Sequence, residues 1–130
     1  MHRLILIVDD TACSREATAL ALMSIPDADV RTAGSMLEAM KILDGDNGIA
    51  ALCTDLNMPL GDGFQLIEEV RSNIRYSQIP IVVISANTDE ATPARVKALG
   101  ADAFFSKPYS PLALRQTLEQ LFDAKQNLSA

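Results

Sequence analysis

A small set of polar residues in this chain has types and spacing suited to chemistry: the adjacent Asp9 and Asp10, then Asp55, Ser85 and Lys107-Pro108. Each lies within two residues of the end of a short apolar run, namely Leu4–Val8, Ile49–Cys53, Ile81–Ile84 and Ala103–Phe105. If those runs are parallel strands in register, the polar side chains meet at one sheet edge. Three carboxylates brought together are costly, because two negative charges about 4 Å apart repel by roughly 4 kcal/mol at an effective dielectric near 20. Such a cluster needs a divalent cation, a lysine or protonation. Oxygen donors without His or Cys suit Mg²⁺ or Mn²⁺ rather than zinc, and Mg²⁺ keeps positions for water and phosphate oxygens. A carboxylate is a competent nucleophile for phosphoryl transfer, with a metal and a lysine neutralising the transferring oxygens. The Ser85 hydroxyl can donate to one of those oxygens, and Pro108 keeps Lys107 out of helical backbone geometry.

The elements that must position these residues follow from apolar patterning. The four runs are apolar without alternation, which suits strands covered on both faces, and Ala28–Ala33 reads as a weaker fifth strand. Between them lie stripes at helical spacing: Ala17, Leu20, Ala21 and Ile25; Met36, Met40 and Leu43; Phe64, Ile67, Val70 and Ile74; Leu114, Leu118, Leu121 and Phe122. Ser35 with Glu38 forms a capping box, Gly45 and Gly100 suit left-handed C-caps, and Ser110 caps a helix opening on Pro111. Pro93 is tolerable only in a first turn, so the fourth helix is expected to begin between Thr88 and Thr92. Asp62-Gly63 reads as a turn and cap before the third helix. The order is βαβαβαβαβα, a doubly wound parallel sheet whose functional crevice lies at the carboxyl ends of its strands.

Size and charge bound the rest. At 130 residues a single core is expected, with residues 126–130 as a polar tail or the start of a linker. Eleven basic against seventeen acidic residues leave a net charge of −6, which disfavours nucleic acid and anionic membranes as direct partners. No apolar run approaches the ~20 residues of a membrane span, and the start of the chain does not read as a signal peptide. Cys13 and Cys53 lack CxxC or metal-ligand spacing, so a reducing cytoplasm is the expected compartment. Cys53 reads as a small buried hydrophobe and Cys13 as a partly exposed thiol near a helix start. Of Phe104 and Phe105, alternating along one strand, one is expected in the core and the other nearer the functional face.

Asp9-Asp10, Asp55-Leu-Asn-Met-Pro-Leu-Gly-Asp-Gly63, Ile84-Ser-Ala86 and Lys107-Pro108, in this order, resemble the receiver domain of two-component response regulators. The resemblance runs from about Arg3 to Ala124, so the receiver domain is expected to occupy residues 1–125. Any one motif is weak; the ordered set is specific. It implies the flavodoxin-like, CheY-like three-layer sandwich of five parallel strands in the order 2-1-3-4-5 with five helices. It implies that Asp55 is the phosphoacceptor, taking a phosphoryl group from a phosphohistidine on a sensor histidine kinase or histidine phosphotransfer domain. Mg²⁺ (or Mn²⁺) would be held by Asp10, Asp55 and the backbone carbonyl of Asn57, with Asp9 acting through water and orienting Lys107. Ser85 takes the switch-hydroxyl position and Phe104 the switch-aromatic position, without the hydroxyl of the tyrosine often found there. The Lys107-Pro108 bond is expected to be cis. Output would pass through the face of the fourth helix, fifth strand and fifth helix to a protein target or fused effector, with a homodimer also possible there. The chain would be no enzyme beyond its own phosphorylation and dephosphorylation.

Two other readings use similar residues. A Mg²⁺-dependent phosphohydrolase of the haloacid dehalogenase type also has an aspartate nucleophile, a hydroxyl, a lysine and an acidic pair. There the nucleophile lies in a DxD on the first strand and the pair comes late; here the order is inverted and the chain has no room for a cap domain. A phosphate-insensitive docking module should have lost an acid, the hydroxyl or the lysine, and all are present.

Overall fold

The Ile- and Val-rich run after Arg3 forms β1 (Arg3–Val8), buried at every position past its first residue. The same apolar logic gives β3 (Ile49–Thr54), β4 (Ile81–Ser85) and the short β5 (Ala103–Ser106). The more polar β2 (Ala28–Ala33) is exposed at half of its positions, as an edge strand can be. Between them come α1 (Ala12–Met23), α2 (Met36–Asp44), α3 (Gly63–Ser72) and α4 (Thr92–Leu99), and α5 (Pro111–Ser129) follows β5. The computed structural model describes residues 3–45, 48–57, 63–86 and 89–129, with α5 side chains to residue 125. The strands pair in parallel in the order β2-β1-β3-β4-β5, the topology that the receiver-domain resemblance implies.

Alternate strand residues point to opposite faces, and each face buries its own cluster. Leu6, Val8, Leu52 and Val83 share one with Leu43, Leu66, Ile67, Val70 and Val96, which come from α2, α3 and α4. Ile5, Ile7, Cys53 and Ile84 share the other with Leu22 of α1 and Leu114, Leu118 and Phe122 of α5. Full burial of each such Leu or Ile contributes roughly 1.5–3 kcal/mol, so these two clusters hold the helix layers on the sheet.

Register sets the site. Val8 is level with Ala33 and Thr54, and Ser85 with Ser106. Pairing continues just past the strand ends: the Asp9 amide donates to the Ala33 carbonyl (3.0 Å), that of Asp55 to Val8 (2.9 Å) and that of Lys107 to Ser85 (2.9 Å). Asp9, Asp55 and Lys107 therefore leave the sheet at one edge.

Several local signals hold and several need correction. Gly100 is a left-handed C-cap (φ 116°), and Pro93 falls in the first turn of α4. Ser110 caps α5 by accepting from the Ala113 amide (3.2 Å). Ser35 accepts from the Glu38 amide (3.2 Å), but the Glu38 carboxylate reaches the Gly34 amide (2.8 Å) rather than that of Ser35. Gly45 is not left-handed; its φ is −75°. The α1 stripe is displaced: Leu20 is 73% exposed, while Thr18 and Leu22 are buried. Ile74 lies beyond the end of α3 and is 92% exposed. Met36, Met40 and Leu121 are half-buried at the edges of the clusters. Helix α5 continues to Ser129, through most of the segment read as a tail. Asp62 and Thr88 lie outside the described residues.

Candidate functional site

Asp9 follows the last residue of β1, and its carboxylate makes two kinds of contact. Oδ1 accepts from the Thr11 amide (2.9 Å), closing the turn into α1, and Oδ2 accepts from Lys107 Nζ (3.2 Å). Asp55 is held similarly from both sides. Its Oδ1 accepts from the Leu56 amide (2.6 Å) and, at 3.4 Å, from that of Asn57, and its Oδ2 accepts from Lys107 Nζ (2.9 Å). Asp9 and Asp55 are buried, Asp10 is exposed at the rim, and one oxygen from each of the three lies within 4.8 Å of the others. Lys107 thus bridges two carboxylates of a three-carboxylate cluster.

The electrostatics follow from that geometry. Burial alone would pull the Lys107 ammonium down, but the hydrogen bond and charge of Asp55, with Asp9 behind it, outweigh burial and hold it above its ordinary value. Cys53, two residues before Asp55, is enclosed beneath the cluster; burial first, and then the Asp9 charge, push its thiol up to about 12, so it stays a neutral hydrophobe. Three carboxylates facing one ammonium leave a formal surplus of two negative charges. An all-oxygen donor set with that surplus fits a hard divalent ion such as Mg²⁺ or Mn²⁺.

Ser85 and Phe104 stand beside the cluster. Ser85 is fully buried at the end of β4 and, with Ala86, Asp89, Glu90, Pro93, Phe104, Ser106 and Lys107, lines an open cleft of about 330 Å³. Lys107 belongs to both the cleft and the acid cluster. Phe104 packs against the cluster under α2, α3 and α4 and Phe105 against the opposite one, with neither fully buried; Phe104 is the one that borders the cleft. The Lys107-Pro108 bond is cis. Asn57, two residues after Asp55, is exposed.

Two contributors escape a reading by residue type. Arg15 Nη1 donates to the Asp9 carbonyl (2.8 Å), bracing the turn that carries the acid pair; its signal was a cation early in the helix after two aspartates. Gly63 opens α3 directly against the backbone of Asp55: a Cβ there would lie 2.2 Å from the Asp55 carbonyl oxygen and 2.8 Å from Leu56 Cα. The sequence gives Gly63 as a turn residue; the structure requires it for close approach.

The sheet order and the strand-end cluster are those of one family, and the comparisons agree. Residues 5–119 match the response regulator receiver domain, and the chain belongs to that family. The chemotaxis protein CheY1 of Helicobacter pylori is 32% identical over 115 residues, covering 88% of this chain and 93% of that protein. Among solved structures, a response regulator receiver protein from Pseudomonas putida is 32% identical with a TM-score of 0.83, covering 92% of this chain and 98% of its own. The chemotaxis response regulator CheY4 of Vibrio cholerae is 27% identical with a TM-score of 0.82, covering 93% and 99%. This chain is a phosphorelay receiver of CheY type.

Proposed function

We propose that Asp55 is the acceptor: a carboxylate oxygen attacks the phosphorus of a phosphohistidine, the P–N bond breaks, and its electron pair returns to the donor imidazole. The observation that carries this is the Lys107 ammonium set between Asp55 and Asp9, 2.9 and 3.2 Å away, beside Asp10. The Leu56 amide on one carboxylate oxygen and Lys107 on the other fix the nucleophile's orientation before the donor arrives. Asp10, Asp55 and the Asn57 carbonyl would hold Mg²⁺, with Asp9 acting through water, and the ion when bound would neutralise charge on the transferring oxygens. Lys107 then pairs with a phosphoryl oxygen in place of the Asp55 oxygen, which is now bonded to phosphorus as an acyl phosphate.

The acyl phosphate carries roughly −2 where the carboxylate carried −1, so the transfer adds about one negative charge and three acceptor oxygens next to the Ser85 cleft. The Ser85 hydroxyl is drawn toward them, the Phe104 ring moves into the space released, and the α4-β5-α5 face changes its affinity for a protein partner. The phosphodonor is a sensor histidine kinase or histidine phosphotransfer domain, and the compartment is the cytoplasm. No helix among the described residues is long and apolar enough to cross a membrane. With Mg²⁺ and acetyl phosphate, the purified protein should gain one phosphoryl group by intact mass, and lose that gain on chelation of Mg²⁺ or in Asp55→Asn. No gain, or an equal gain in Asp55→Asn, would overturn the assignment.

A further inference from the structure

The loop that carries Lys107 is anchored at two points. The Lys107 amide donates to the Ser85 carbonyl of β4 (2.9 Å). Two residues later the Tyr109 hydroxyl meets the Thr18 hydroxyl of α1 at 2.8 Å. Thr18 is only 3% exposed, and a hydroxyl buried that deeply needs a partner, which Tyr109 supplies. The Tyr109 ring packs against the cluster containing Ile7, Cys53, Ile84 and Leu114, so packing fixes the ring and the hydrogen bond fixes its tip.

We propose that the Tyr109–Thr18 hydrogen bond positions Lys107, tying its loop to α1 and thereby setting the rate at which Asp55 takes a phosphoryl group. This rests on the reading of Asp55 as acceptor and Lys107 as its counter-charge. A lysine side chain has several free torsions, so where its backbone starts decides whether its ammonium reaches both carboxylates. A small outward drift of the loop opens the 2.9 and 3.2 Å contacts of Lys107, and displacements of about 1 Å are enough to slow a positioned reaction. Tyr109 is a positioning residue: its hydroxyl is spent on Thr18.

The test compares Tyr109→Phe, Thr18→Val, their double variant and Thr18→Ser in phosphorylation by acetyl phosphate with Mg²⁺, alongside Mg²⁺ affinity from an NMR titration. Each of the first two should slow phosphorylation about fivefold, which is about 1 kcal/mol at roughly 1.36 kcal/mol per factor of ten. The double variant should be no slower than either single one, because both remove the same bond. Thr18→Ser keeps the hydroxyl and should stay near the wild-type rate. Mg²⁺ affinity should not fall in any of them, since none of the ligands proposed above touches this bond and loosening the Lys107 ammonium from Asp55 and Asp9 favours a second cation there. Wild-type rates in Tyr109→Phe, or additive losses that Thr18→Ser shares and that Mg²⁺ affinity follows, would overturn the proposal in favour of general loosening. A wild-type protein that takes up no phosphate would instead remove the reading beneath it.

Discussion

Gly63→Ala adds one methyl group where two fixed pieces of backbone meet. The new Cβ would lie 2.2 Å from the Asp55 carbonyl oxygen, about 1 Å inside ordinary contact, with Leu56 Cα at 2.8 Å and Asp55 C at 3.0 Å. Neither side has slack. The Gly63 amide is bonded to the Leu56 carbonyl (2.9 Å) and the Asp55 amide to Val8 (2.9 Å), while Leu66 and Ile67 lock α3 into the core. Overpacking usually costs about 1–3 kcal/mol, and a clash with backbone that no rotamer can relieve belongs at the top of that range. Alanine's helix propensity returns at most ~1 kcal/mol, less at a first turn, so the clash wins. A net loss of about 2–3 kcal/mol should lower Tm by roughly 10 °C for a domain of this size. Moving the Asp55 peptide also shifts its carboxylate off Lys107, so phosphorylation should slow as well. Gly34→Ala is the internal comparison, since its nearest atom is the Arg15 side chain at 3.3 Å; it should cost less than about 1 kcal/mol. Thermal and urea melts followed by circular dichroism decide it. A Gly63→Ala protein melting within about 2 °C of wild type would refute the close-approach reasoning.

Other outcomes follow from residues that are not members of the acid cluster. Arg71 donates to the carbonyls of Gly100 (3.0 and 2.8 Å), Ser77 (3.0 Å) and Ile79 (2.7 Å), and to Asp102 (3.1 Å). Burial pulls its guanidinium below the ordinary value, and Asp102 opposes that pull. Arg71→Met should cost about 2–4 kcal/mol in urea denaturation, and Lys should not rescue it because it lacks the fork; a loss below about 1 kcal/mol contradicts this. A thiol reagent should modify Cys13, which is exposed, and leave buried Cys53 untouched until the protein unfolds; rapid labelling of both in the native state contradicts the burial. The Cys53 thiol rises from 9.0 to about 12 in the folded state. Its contribution is therefore fully present below pH 9 and is lost as pH climbs toward 12, at roughly 1.4 kcal/mol per pH unit. Cys53→Ala should flatten that part of the alkaline stability curve, and an unchanged slope contradicts the assignment.

The strands were legible because Leu4–Val8, Ile49–Cys53 and Ile81–Ile84 are apolar at every position, as strands covered on both faces are, while their order came from the resemblance to the receiver family. The acid cluster and Lys107 were legible because parallel register carries strand ends to one edge. What failed was burial within helices. Leu20 looked like core and is exposed, whereas polar Thr18 is buried because Tyr109, far away in sequence, satisfies its hydroxyl. Apolarity predicts a preference; tertiary partners decide the face. Gly45 and Ile74 show the same limit at helix ends, where the last turn is set by what it packs against. Gly63 was visible as a turn signal, but its contact with Asp55 joins the start of α3 to the end of β3, and no local pattern encodes that.

The central claim is that Asp55 carries the phosphoryl group, and trapping the acyl phosphate tests it most directly. Protein incubated with Mg²⁺ and a phosphohistidine donor is reduced with borohydride, which converts an aspartyl phosphate to homoserine, and the product is located by peptide mass mapping. Homoserine at position 55, absent in Asp55→Asn, is the predicted result. Homoserine at Asp9 or Asp10, or none at any position, would contradict the account.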